Sequence, residues 1–115
     1  MLVTAVFFFL IAASLGAFLL RAILKKERTS KPVVFMHGSI AGLALLALVT
    51  YIALGHTAPL LITSLILFLL TAFGGLTLFT LDTTGKRIPK MLAIGHPILA
   101  VTSLIVLIVY IVTKN

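Results

Sequence analysis

The chain of 115 residues has no cysteine, no tryptophan and only two acidic residues. The lack of cysteine excludes disulfides, thiol nucleophiles and thiolate metal sites. The two carboxylates, Glu27 and Asp82, lie beside basic residues at the edges of apolar stretches, so neither falls in the middle of one. Proton-coupled transport through a membrane-embedded carboxylate relay is therefore disfavoured. The chain also has no phosphate-binding loop and no serine or metalloprotease motif.

Charged residues of either sign are few, and long apolar segments make up most of the chain. The chain is 62% hydrophobic and 10% charged, with a mean hydropathy of +1.33. Four apolar segments each reach the roughly 20 residues that cross a hydrocarbon core, and in lipid such segments form helices because backbone groups find no water. The sequence predicts a single all-α domain, a bundle of four transmembrane helices at about 1–20, 33–54, 58–81 and 91–113. No basic residues precede the first segment, so we expect it to stay as a helix and not to be cleaved as a signal peptide.

The basic residues are confined mostly to two connections. Five lie between residues 21 and 31, three lie between residues 86 and 90, and the middle connection "LGHTAP" carries no formal charge. Short basic loops stay in the cytoplasm, which predicts a multi-pass protein with both termini outside. The net charge of +7 is read as a topology signal with attraction to anionic lipid. Nucleic acid is disfavoured as a partner because no stacking aromatic residues lie among the cations.

The two halves of the chain are similar. When residues 1–56 are aligned with residues 60–115, 15 of 56 positions are identical without a gap. With two helices per half, both halves would insert in the same orientation, which predicts two parallel repeats about a pseudo-twofold axis along the membrane normal. The rarer matches are Gly16 with Gly75, Arg28 with Arg87, Lys31 with Lys90, His37 with His96, and Tyr51 with Tyr110.

The most informative matched pair is His37 and His96. Each begins a stripe of matched residues at helical spacing, continuing through Ala41 in the second helix and Ala100 in the fourth. A twofold axis would point the two rings at each other about one turn inside the membrane. Facing imidazoles are the usual axial ligands of a b-type haem held between helices, and a buried histidine in a membrane span is a functional hypothesis by default.

Other matched residues fit the same hypothesis. Cations stand nine and six residues before each histidine, where they could bind haem propionates, although the positive-inside rule alone would also place them there. The glycines lie on stripes with Phe9 and Ala13 in the first half and with Phe68 and Ala72 in the second, leaving room for close helix packing or for a flat group. The candidate cofactor-binding residues are therefore His37, His96, Arg28, Lys31, Arg87, Lys90, Gly16 and Gly75, with the two histidines as ligands of the haem iron.

Several alternatives stay open at this point. The histidines could cap helices or bond neighbouring carbonyls, and a duplication would copy that role. The pair could also donate hydrogen bonds to a quinone or a lipid, or the chain could be a non-catalytic subunit or assembly factor of a larger complex. Zinc is disfavoured because two histidines supply too few ligands. His56 has no histidine counterpart and is expected to be a solvated turn residue.

The pattern "HG…AG…ALL" at residues 37–46, after a basic loop, resembles small bacterial four-helix membrane proteins. The four-helix layout with His37 and His96 is more distantly similar to membrane b-type cytochromes and to the haem-binding anchors of respiratory complexes. This resemblance implies a protein of the inner membrane that binds one haem b and serves in electron transfer or haem handling, with quinone or a redox protein as partner. It implies an electron carrier or binding protein and not an enzyme. Homo-oligomerisation stays possible.

The charge pattern yields a testable topology. A reporter fused after Asn115 should score as external, and one inserted in the 82–90 connection should score as cytoplasmic, because the basic connections are retained inside. A cytoplasmic score for the Asn115 fusion would contradict the assignment.

Overall fold

Four long helices make up the computed structural model, which describes residues 1–114. They are α1 (Leu2–Leu24), α2 (Lys31–Ala53), α3 (Pro59–Thr83) and α4 (Lys90–Thr113). All four are long and apolar enough to cross a membrane, which confirms the predicted all-α membrane bundle. The predicted second repeat runs to Asn115, which lies outside the described residues.

The first helix extends four residues beyond its predicted end. It continues through Arg21 to Leu24, because an arginine with an apolar stem is a good helix former. It then closes with a Schellman motif, in which Lys26 is left-handed (φ 57°) and the Glu27 amide donates to the Ala22 carbonyl over 2.9 Å.

α3 ends in the same way, 59 residues later. Gly85 is left-handed (φ 71°), and the Lys86 amide donates to the Leu81 carbonyl over 3.0 Å. Proline stands in the first turn of α2 and of α3, where its missing amide hydrogen costs nothing. The helix boundaries thus follow local chemistry in both halves of the chain.

The helices pack as two antiparallel hairpins, α1–α2 and α3–α4. Packing within each hairpin is more extensive than the α1–α4 and α2–α3 packing between them. The bundle measures 45 × 24 × 19 Å, so its long axis exceeds the roughly 30 Å of a hydrocarbon core. We call the end that carries the 25–30 and 84–89 connections the basic end, and the opposite end the terminal end.

The apolar core fills the terminal half of the bundle. At its centre the rings of Phe9 and Phe68 stack across the two hairpins, with centroids 3.9 Å apart and planes 6° apart. Buried aliphatic residues from all four helices surround this stack: Leu2, Ala5, Ala44, Leu48, Leu61, Leu104 and Leu107. The basic half holds the histidine pair, with Gly16 and Gly75 beside the two rings.

The predicted inward stripes of α2 and α4 match the observed burial, but one position on α1 is wrong. Ala13 is exposed, whereas Ala12 beside it is buried. Ala5, Ala12 and Leu19 are spaced seven residues apart along α1 and are all buried, and the Ala12 carbonyl contacts His37 of α2. This spacing is the heptad period of closely packed antiparallel helices, and it moves Ala13 to the lipid-facing side.

Buried hydroxyl groups join α3 to α4. Ser64 Oγ donates to the Ser103 carbonyl over 3.2 Å, and the hydroxyls of Thr71 and Ser103 lie 3.4 Å apart. The residues 59 positions away in sequence are the buried alanines Ala5, Ala12 and Ala44. The second hairpin is therefore held partly by interhelical hydrogen bonds, the first by close packing of small apolar residues.

Two contacts across the bundle join residues 59 positions apart. One is the Phe9–Phe68 stack and the other is the facing pair of His37 and His96. Such contacts are the ones expected where a twofold axis passes between two halves. They lend support to the internal repeat, which stays a prediction.

The left-handed residue that ends α3 generates a stability prediction. Gly85→Ala should lower the free energy of unfolding in detergent by about 1 kcal/mol, because a side chain is disfavoured at positive φ. Lys26→Gly, at the equivalent position, should not lower it. Gly95→Ala is the control, since that glycine is helical and a Cβ there would meet nothing within 4 Å. Equal unfolding energies for the Gly85 and Gly95 variants would contradict the argument.

Candidate functional site

His37 and His96 face each other across the bundle near its basic end. Each lies six residues after the first residue of its helix, which is about 9 Å along the axis. Their ring centroids are 6.3 Å apart, the planes are nearly perpendicular at 84°, and both residues are half-buried. The structure thus brings together the two side chains that the sequence paired.

Each imidazole lies against a glycine of the neighbouring helix in its own hairpin. A Cβ built on Gly16 would be 3.0 Å from Cε1 of His37, and one built on Gly75 would be 3.0 Å from Cε1 of His96. The sequence predicted that these glycines leave room for close packing or for a flat group. The flat group that occupies the space is the histidine ring itself.

The two rings differ in their hydrogen bonds. His37 Nδ1 lies 2.7 Å from the carbonyl oxygen of Ala12, so this nitrogen carries the proton and donates it, and Nε2 is left as the free nitrogen. The corresponding carbonyl of the second hairpin belongs to Thr71, whose backbone faces the His96 ring. That pair does not meet the geometry of a hydrogen bond, and within the described chain His96 Nδ1 is buried with no partner.

The residues that follow the histidines also differ. Pro97 comes after His96, inside α4, whereas Gly38 comes after His37. Proline has no amide hydrogen, so the Ala93 carbonyl loses its helical donor one turn before Pro97. The helix that carries His96 thus lacks one backbone hydrogen bond that the helix carrying His37 can form.

The chemistry open to this site follows from its donors. It offers two imidazoles, and no group of three or more histidine or acidic residues that could hold a metal ion occurs among residues 1–114. A bare zinc ion normally takes at least three protein ligands. A metal held here would therefore need its other ligands from a cofactor, while an uncharged ligand could bind through hydrogen bonds to the ring nitrogens.

The four cations expected near the site have different surroundings. Lys31 donates to a carboxylate oxygen of Asp82 over 2.8 Å and to Thr29 Oγ1 over 3.1 Å. Thr29 in turn donates to the same Asp82 oxygen over 2.7 Å. Arg87 and Lys90 line an open cleft between the two basic connections. Arg28 does not line this cleft. Lys31 is therefore already occupied by a carboxylate.

Sequence reasoning missed the groups that act through the backbone or through long-range pairing. The Ala12 carbonyl orients His37 although alanine carries no polar side chain. Asp82 pairs with Lys31 from the other hairpin; the predicted topology placed both residues at the same end of the bundle but did not pair them. His56 is exposed in the 54–58 connection, as expected, where its ring stacks on Tyr51 at 3.8 Å.

Comparisons with known proteins return no relatives. No protein-family model, no curated protein sequence and no solved structure matches this chain. The function is therefore argued from the site alone.

The glycine contacts predict unequal effects of one substitution. Gly16→Ala should destabilise the protein more than Gly75→Ala, by about 1 kcal/mol, because His37 must give up its bond to Ala12 to make room whereas His96 has no such bond to lose. Unfolding in detergent measures the difference. Gly42→Ala serves as the control because a Cβ there would meet nothing within 4 Å. An equal or larger loss for Gly75→Ala would show that the His37 bond does not hold its ring in place.

Proposed function

We propose that this protein is a small membrane cytochrome of the b type, in which His37 and His96 are the two axial ligands of one haem. The observation that carries the proposal is the facing histidine pair, whose ring centroids are 6.3 Å apart. Two imidazoles that bind one metal ion from opposite sides would have ring centres about 6.4 Å apart, because each metal–nitrogen bond is about 2.0 Å long and each nitrogen lies about 1.2 Å from the centre of its ring. The separation in this structure agrees with that value.

The hydrogen bond of His37 also suits a ligand role. A histidine that binds metal usually donates its other ring hydrogen to a carbonyl or carboxylate, which sets the ring orientation and the free nitrogen. His37 donates Nδ1–H to Ala12, so Nε2 would be its ligand atom. His96 has no bond of this kind, so its orientation relies on the contact with Gly75.

A haem is the metal cofactor that a two-histidine site can complete. Its macrocycle supplies four in-plane nitrogens, and the bound iron carries one electron at a time. His37 and His96 would hold the iron between them and would leave it no open position for oxygen, which favours electron transfer or haem handling over oxygen activation. The macrocycle would enter between the two hairpins, where the packing is less extensive than within them.

The cations near the basic end would meet the propionates. Arg87 and Lys90 face an open cleft and Arg28 is exposed, so these three are available, whereas Lys31 already pairs with Asp82. Charge-assisted hydrogen bonds from such cations strengthen carboxylate binding. We assign this end to the cytoplasm on the charge of its connections.

A second candidate function is the binding of a quinone between the hairpins. It is favoured by the buried His96 Nδ1, which has no hydrogen-bond partner in the part of the chain that the structure describes. An unpaired buried polar atom costs about 1–3 kcal/mol, and a carbonyl-bearing ligand would satisfy it. Quinone in the organic extract of the purified protein, without a haem absorption band, would favour this reading.

The haem proposal predicts unequal behaviour of the three histidines. His37→Ala and His96→Ala should each lower haem content by about ten-fold or more, because even the loss of a group that only orients a metal ligand weakens metal binding by about 10–100-fold. Each should also shift the absorption spectrum from low-spin towards high-spin and admit carbon monoxide. The measurement is the spectrum of protein purified with haem supplied.

His56→Ala is the matched control because that histidine lies in the 54–58 connection at the opposite end. It should leave both haem content and spectrum unchanged. The double variant should add little to either single one, since both ligands act on one ion. If the wild-type protein shows no Soret band, or if either pair variant keeps the wild-type spectrum, the ligand assignment is wrong.

A further inference from the structure

The basic end carries a three-residue latch on one side only. Lys31, Thr29 and Asp82 bond to one another within 3.1 Å, which ties the start of α2 to the end of α3. Within residues 1–114 this is the only ion pair. Asp82 accepts hydrogen bonds from Thr29 and from Lys31, and its negative charge offsets the positive charge of Lys31.

The equivalent residues on the other side cannot form such a latch. Lys90 corresponds to Lys31, but the partners 59 residues from Asp82 and Thr29 are Ile23 and Ile88. Lys90 thus stands at the position equivalent to Lys31, but two aliphatic side chains stand where Lys31 has its carboxylate and hydroxyl partners. Both isoleucines are half-buried, as are Asp82 and Thr29.

Beside the latch, an open cleft of about 1000 Å³ lies between the two connections, and the latch residues Thr29 and Asp82 form part of its wall. Four cations line it. Asp82 is already paired with Lys31 within the latch, so among residues 1–114 Glu27 is the acid of the cleft without an ion-pair partner. Apolar side chains supply the remaining wall. The lining cations are Lys26, Lys86, Arg87 and Lys90, and the apolar residues are Ile23, Leu24, Ile88 and Pro89.

We propose that this cleft binds the phosphate headgroup of an anionic phospholipid. Lys90 and Arg87 would contact the phosphate, and Ile23 and Ile88 would contact the first carbons of the lipid chains. The cleft lies at the ends of helices that are long and apolar enough to cross a membrane, which would place it at the depth of the lipid headgroups. Basic pockets between transmembrane helices at this depth recognise anionic lipids. A soluble anion would gain nothing from the aliphatic wall, whereas an amphiphile gains from both surfaces.

The lipid site does not depend on the haem proposal. The lipid proposal rests on Lys90, which has no carboxylate at the position equivalent to Asp82. The haem proposal rests on the histidine pair, about 9 Å further along the axis. Arg87 and Lys90 appear in both arguments, so the test is made on protein purified without added haem. A lipid result of either sign then leaves the histidine assignment untouched.

The first experiment compares two double variants that remove equal charge. Arg87→Gln with Lys90→Gln removes two cations from the cleft, and Arg21→Gln with Lys25→Gln removes two exposed cations of the same end that do not line it. Native mass spectrometry measures the retention of phosphatidylglycerol against phosphatidylcholine from mixed vesicles. The cleft variant should lose the preference by about thirty-fold, while the control keeps most of it.

The second experiment rebuilds the latch. Ile23→Asp with Ile88→Thr gives Lys90 the partners that Lys31 has, so the lysine should pair internally and the preference for phosphatidylglycerol should fall as in the cleft variant. Ile23→Leu with Ile88→Val keeps the aliphatic wall and should retain the preference. Melting temperatures of all variants confirm that each one folds.

Three outcomes would overturn the proposal. Equal losses in the cleft and control variants would mean diffuse attraction to the negative surface. Equal retention of the two lipids by the wild-type protein would mean that no such site exists. Displacement of bound lipid by millimolar inorganic phosphate would assign the cleft to a soluble anion.

Discussion

The absence of water in a hydrocarbon core is the constraint on which this structure depends. It confines the backbone to four helices that satisfy their own polar groups, and it obliges each polar side chain within them to find a neighbour. His37 finds the Ala12 carbonyl, and Ser64 finds the Ser103 carbonyl. Among the described residues 1–114, His96 Nδ1 is the buried side-chain atom that finds no partner. In lipid such an exception is costly, which is why this nitrogen marks the place where a ligand would be most favourable.

The two hairpins share their geometry and differ in their chemistry. Both place an imidazole against a glycine at 3.0 Å, and both end their first helix with a left-handed residue. The differences lie in polar groups. Alanines of the first hairpin align with hydroxyl residues of the second, and two isoleucines align with the carboxylate and hydroxyl residues of the latch. Among residues 1–114, His37 forms a hydrogen bond through Nδ1 and His96 does not. Shared positions set the shape of the bundle because close packing tolerates little change. The polar positions differ between the hairpins, and in the proposals made above a ligand or a lipid would supply the partner that one hairpin lacks.

The bundle is divided along its axis into a half that contains the large apolar core and a half that contains the candidate site. The terminal half contains the Phe9–Phe68 stack and the large aliphatic residues, so it holds the hairpins together. The basic half contains glycines, the histidine pair and the cleft, together with an edge-to-face contact between the rings of Phe35 and Phe79. A cofactor at His37 and His96 would therefore be accommodated without disturbing the stack that joins the hairpins.

The sequence by itself determined the number of helices, their approximate bounds and the pairing of the two histidines. These follow from the lengths of the apolar segments and from the alignment of the two halves at an offset of 59 residues, both of which can be obtained from the linear sequence. Only the tertiary structure decided that Ala12 and not Ala13 faces the bundle, that imidazole rings occupy the space beside Gly16 and Gly75, and that Lys31 is occupied by Asp82 while Lys90 is not. The reason is that rotation of a helix about its axis, ring orientation and ion pairing depend on what the neighbouring helix presents. A backbone carbonyl or a residue 51 positions away leaves no mark in the local pattern.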